Sequence, residues 1–104
     1  MNQDRITKLK EFLEKDPADS FARYALALEY AGRGEIQIAV ACLQEVLNHD
    51  PGYIPAYHQL GINYAKLGKS IDAGDILKKG ISVATEQGDL HARSEMQEAL
   101  DELS

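Results

Sequence analysis

Apolar positions recur along the chain at helical spacing. Ala22, Leu26 and Tyr30 stand four apart, and Ala39, Leu43, Val46 and Leu47 carry the pattern on beyond Gly34. Side chains three and four apart share one face of a helix, so each run predicts an amphipathic helix with one buried stripe. Gly34 falls between the runs. Glycine takes positive φ without a Cβ clash, which suits it to the turn.

The pattern returns 34 residues later. Ala22/Ala56, Leu26/Leu60, Tyr30/Tyr64, Ala31/Ala65, Gly34/Gly68, Ala39/Ala73 and Leu43/Leu77 are identical pairs, and Ala27/Gly61, Leu28/Ile62 and Leu47/Ile81 are conservative ones. It also extends backwards, because Leu9 and Leu13 stand 34 residues before Leu43 and Leu47, and Asp16 and Pro17 stand 34 before Asp50 and Pro51. The first helix therefore matches the second half of an earlier unit. The last predicted helix, in DLHARSEMQEALDEL, leaves this register; a shift of 40 aligns Met96 with Ala56 and Leu100 with Leu60. Gly88 ends the helix before it, and Asp89 can cap it. Ala92, Met96, Leu100 and Leu103 are expected to pack inward, with Glu95, Glu98, Asp101 and Glu102 outward.

The predicted fold is all-α, with helix hairpins stacked side by side and about six helices in one domain. The segments are a leading half-unit at 1–16, a pair at 17–51, a pair at 52–87 and a capping helix at 88–104. One helix pair cannot bury its apolar face alone, whereas stacked pairs with polar ends can.

These residues resemble the tetratricopeptide repeat. Leu26, Ala27, Tyr30, Ala39, Leu43 and Pro51 match its 34-residue helix–turn–helix pattern in the first pair, and Leu60, Gly61, Tyr64, Ala73 and Leu77 match it in the second. The match covers residues 20–87. The chain departs from the pattern at Arg23, where a large aromatic is usual and Tyr57 supplies one in the second pair. Val46 and Gly80 stand where alanine is commonest, and Gly80 within a helix costs about 1 kcal/mol relative to alanine. Thr85 replaces the closing proline, so the helix there can run on to Gln87.

The resemblance implies a protein-interaction module, in which the first helix of each pair lines a concave groove that takes a peptide or helix. Carried onto this chain, that groove is lined by Phe21, Tyr24 and Leu28, then by Pro55, His58, Ile62 and Lys66, with Glu95, Glu98 and Glu102 as an acidic edge. Tyr24 and His58 are expected to be exposed. Leu28 and Ile62 either line the groove or complete the core between helices. Some family members clamp chaperone carboxylates with Lys, Asn and Arg on this face. Tyr24, Leu28, His58 and Ile62 stand there instead, which argues against such a clamp.

Composition narrows the alternatives. Seventeen acids against eleven bases give a net charge of −6 and no dense basic stripe, so nucleic acid is not an expected partner. Cys42 is the only cysteine, so neither an internal disulfide nor a thiolate metal cluster can form. His49, His58 and His91 lack ligand spacing, and no nucleophile motif or phosphate loop is present. No cofactor and no catalysis are expected. No apolar run reaches the length of a signal peptide or a membrane span, so the expected location is cytoplasmic. The structural alternative is a homo-oligomer formed through the groove or through the Ile38–Cys42 strip, with Cys42 otherwise a half-buried filler.

Overall fold

A computed structural model describes residues 2–103, and the side chains of residues 5–103. Met1 and Ser104, at the ends of the first and last predicted segments, lie outside that range. Six helices follow one another among the described residues: α1 (Asn2–Lys15), α2 (Ser20–Gly32), α3 (Ile36–His49), α4 (Ile54–Lys66), α5 (Ser70–Gln87) and α6 (Leu90–Asp101). Each packs against the next as an antiparallel neighbour, and α6 also reaches back to α4.

Local chemistry sets the ends. Asp19 caps α2, its carboxylate accepting from the Ala22 amide at 2.8 Å. Asp89 does the same for α6 through the Ala92 amide at 3.1 Å. Gly34, Gly68 and Gly88 take φ of 82°, 76° and 76° at the ends of α2, α4 and α5, a region that a Cβ makes costly. With Thr85 in place of proline, α5 runs for 18 residues where α3 has 14. The extra turn is used: Gln87 donates to the Gly52 carbonyl at 3.0 Å and ties the end of α5 to the turn before α4.

Burial follows the apolar stripes in three adjoining clusters. Ile6, Leu13, Ala22, Leu26, Tyr30 and Ala39 join α1 to the first pair. Ala27, Val40, Leu43, Val46, Ala56 and Leu60 join the first pair to the second. Ile54, Tyr57, Leu77, Ala84 and Met96 join the second pair to α6, with Ala92, Leu100 and Leu103 half-buried beside them. The shift of 40 that placed Met96 opposite Ala56 is therefore the register in which α6 packs.

Arg23 keeps the role of the aromatic it replaces. Its guanidinium donates to the Pro17 carbonyl at 2.6 Å, as the Tyr57 hydroxyl donates to the Pro51 carbonyl in the second pair. Either long side chain with a donor at its tip can hold the turn that precedes its helix. A second translated pair behaves alike: Lys10 lies 5.7 Å from the centre of the Tyr30 ring, and Gln44 donates to the Tyr64 hydroxyl at 2.7 Å.

Gly80 is explained by close approach. A Cβ built there would lie 2.5 Å from the Tyr57 Cβ and 2.6 Å from the Met96 sulfur. The helix accepts the cost of glycine because Tyr57 and the capping helix occupy the space where alanine would stand.

Candidate functional site

The candidate residues lie on the three first-type helices, α2, α4 and α6. Tyr24 and Leu28 are one turn apart on α2, and His58 and Ile62 repeat that spacing on α4. Glu98 and Glu102 repeat it again, with Glu98 on α6 and Glu102 as its C-cap. The packing register therefore makes these three pairs equivalent.

Leu28 is 39% exposed, and Ile62 is half-buried. Neither belongs to the three core clusters. Leu28 is an exposed apolar residue and Ile62 a half-buried one at equivalent places on the same helix flank. Pro55 and Lys66 are exposed at either end of α4, and His58 is half-buried between them.

Tyr24 is less free than the sequence implied. Its ring centre lies 5.4 Å from that of Tyr53, the planes inclined at 51°. It packs against the second cluster. Burial first, and then the Tyr53 hydroxyl, push its own hydroxyl above the usual tyrosine range, while a hydrogen bond from Gln59 works the other way. Tyr24 thus forms the floor between α2 and α4. Gln59 and Tyr53, which sequence reasoning passed over, hold it there. The signal available for Tyr53 was its position directly before a helix, facing the preceding one.

Phe21 is 71% exposed, at the position on α2 that Pro55 holds on α4. Together with Lys8, Leu9, Phe12, Asp19 and Ala22 it lines a hollow of about 330 Å³ between α1 and the start of α2. Phe12, which sequence reasoning also passed over, is 49% exposed there.

The acidic edge is exposed along its length. Glu95 has a local partner in His91, 3.6 Å away, an ion pair when the imidazole is protonated. Gln97 donates to the Asp101 carboxylate at 3.0 Å. Glu98 and Glu102 project from the same flank as Leu28 and Ile62, by the register above. An exposed carboxylate here can attract a base but is worth little by itself in water.

The Ile38–Cys42 strip divides. Ile38 is 44% exposed, whereas Cys42 is half-buried and packs against the first two clusters. Burial pushes the Cys42 thiol above the ordinary range, more than nearby Arg23 and Lys10 pull it down. The thiolate is the reactive form. Alkylation of the folded chain by a maleimide should therefore run at least about tenfold slower at neutral pH than in denaturant. Equal rates in the two states would show that the thiol is open to solvent.

No model of a known protein family matches the chain, and no curated protein does. Solved structures match it closely. A tetratricopeptide repeat domain protein from Salinibacter ruber is 38% identical, covering 85% of this chain and 89% of its own, with a TM-score of 0.80. A protein from Bordetella parapertussis is 26% identical, covering 94% and 85%, with a TM-score of 0.83. The TPR2B domain of yeast Sti1, solved in a complex with pHsp70, shares the fold at 15% identity, covering 94% and 78%, with a TM-score of 0.89. Six helices, a 34-residue register carried through their packing, and the Salinibacter likeness over most of both chains agree: the chain belongs to the tetratricopeptide repeat family.

Proposed function

We propose that the chain is a non-catalytic interaction module that captures a peptide or helix of a partner protein along α2, α4 and α6. The observation that carries this reading is the placing of Leu28, exposed, and Ile62, half-buried, outside the core. Both are apolar, both lie outside the core clusters, and they occupy equivalent sites on neighbouring first-type helices. Tyr24 gives the surface between them an aromatic floor with a polar tip, a side-chain type enriched at interfaces. Pro55, His58 and Lys66 border it on α4. The partner segment carries apolar anchors for Leu28 and Ile62, and a Lys or Arg toward Glu98 and Glu102. The complex of the Sti1 domain with pHsp70 supports partner capture on this fold, while Tyr24, Leu28, His58 and Ile62 give this chain no carboxylate clamp. Self-association through the Ile38–Cys42 strip has less behind it, because Cys42 is turned inward.

Selection of a displayed library of twelve-residue peptides on the chain tests this. Binders should share apolar anchors followed by a base. Leu28→Asp and Ile62→Asp should each weaken them about tenfold or more, as expected for losing a buried aliphatic contact. Glu98→Gln with Glu102→Gln should mainly reduce the salt dependence. Binders unaffected by both aspartate substitutions would place the capture surface elsewhere.

A further inference from the structure

A groove runs between α3 and α5, the second helices of the two pairs, with α4 as its floor. It consists of two hollows, of about 410 and 250 Å³, that meet at Gln44 and Tyr64. Its lining shares no residue with the capture surface of Leu28, Ile62 and their neighbours. The smaller hollow has apolar sides at Leu47 and Ile76, and Lys79 is the one charged residue among the described ones that line it. The polar groups there have capacity to spare. The Tyr64 hydroxyl accepts from Gln44 Nε2 at 2.7 Å, which leaves its own hydrogen to donate. Gln44 and Asn48 keep their amide oxygens as acceptors, and the Lys79 ammonium has no partner among the described residues. We infer that this groove binds an extended segment of a partner protein, with a Glu or Asp side chain seated beside Lys79.

The repeat shows that packing alone does not require this set. Thirty-four residues earlier, Gln44, Asn48, Tyr64 and Lys79 become Lys10, Glu14, Tyr30 and Glu45. There Lys10 lies against the Tyr30 ring, and an acid stands in the place of Lys79. One ammonium among neutral donors matches a single negative charge, which selects a carboxylate. The segment carries one acid rather than a run of them. Asp72 lines the other hollow beside Lys69, and burial first, then the Asp50 carboxylate, push the Tyr57 hydroxyl of the smaller hollow above the usual range. Glu45, on the α3 wall, is engaged by His49 at 3.6 Å and by Asn48 at 3.3 Å. The spacing of the amides selects an extended chain. Gln44 and Asn48 are one turn apart, about 6 Å along α3, close to the two-residue repeat of a strand, about 6.6 Å. Their amides can pair with the open peptide groups of a strand, whereas a helix has bonded its own internally. From Gln37 to Asn48 the wall is about 16 Å long, the length of about five extended residues.

The probe is a capped six-residue peptide of threonine and valine with one glutamate near its centre. It is titrated into the isotope-labelled chain, and the side-chain amide resonances of Gln44 and Asn48 are followed by NMR. A second peptide has glutamine in that place, a third has lysine, and propionate serves as the free carboxylate. The glutamate peptide should shift both amides saturably, with a Kd of about 1 mM or better. Lys79→Met should weaken it about fivefold, the upper end for an exposed ion pair, and the glutamine peptide less than about twofold. Lys79→Arg, which keeps the charge, should bind the glutamate peptide within about twofold of the unsubstituted chain. Lys79 is exposed, so neither variant should unfold, and circular dichroism checks this. Leu28→Asp should change the affinity less than about twofold, which separates this groove from the capture surface. Absence of saturation up to about 5 mM would overturn the inference. So would an equal loss of the glutamate and glutamine peptides on Lys79→Met, equal binding of the lysine peptide, or propionate binding as tightly as the glutamate peptide.

Discussion

Met96→Ala should lower the free energy of unfolding by about 3 kcal/mol, the usual cost of truncating a fully buried methionine. Met96 is 0% exposed and sits at the centre of the third cluster, between Tyr57 and the bare face of Gly80. Its thioether fills the space left by the absent Cβ, and its neighbours cannot collapse into the gap without moving α6 on α5. The partner substitution supplies the check. Gly80→Ala alone should also destabilise, by about 1–2 kcal/mol, because overpacking outweighs the helix propensity gained. The two changes together should cost less than their sum, with a coupling of about 1 kcal/mol, since the new methyl then enters space that Met96 vacates. Urea unfolding followed by circular dichroism measures all three. A loss below about 1 kcal/mol for Met96→Ala would mean that α6 frays independently of the stack.

Gly61→Ala is the second large effect, and it runs against the repeat. The equivalent position in the first pair is Ala27, so a comparison of the two units recommends alanine. A Cβ at Gly61, however, would lie 2.5 Å from one methyl of Leu77 and 2.6 Å from its Cγ. The Cγ is the branch point of a side chain that is itself 1% exposed, so it has little room to yield. Destabilisation by about 2 kcal/mol is expected, the overpacking cost less the propensity gain. Leu77→Val introduced beside it should restore part of the loss by withdrawing the branch. If Gly61→Ala proved neutral or stabilising, α4 and α5 would be packed more loosely than these distances indicate.

These substitutions show where the sequence was legible. Ala22, Leu26 and Tyr30 announced α2 because a solvated helix must put its apolar residues on one face, and their echo at Ala56, Leu60 and Tyr64 announced α4. Thr85 announced the longer α5 because only a missing proline was needed for the helix to continue. The end chemistry at Gly88 and Asp89 was equally local. Leu28 and Ile62 were ambiguous, since an apolar residue beside a stripe can face a neighbouring helix or open space. Phe12 carried no warning at all. By its spacing it belongs with Leu9 and Leu13, and nothing in that spacing says that no helix among the described residues covers it.

The helices, their turns and the register of the stack were readable along the chain, because each depends on contacts between residues near in the chain or on a period written into it. Which apolar residues stay in water was settled by the packing of whole helices. That depends on which helix stands next to which: Val46 disappears beneath α2 while Phe12, its counterpart 34 residues earlier, stays open. It also decided that Gly61 and Gly80 must lack a Cβ, since the atoms in the way belong to Leu77, Tyr57 and Met96, brought there by the packing of whole helices. Local period fixes what an element is; the exposure of its flank is a property of its neighbours.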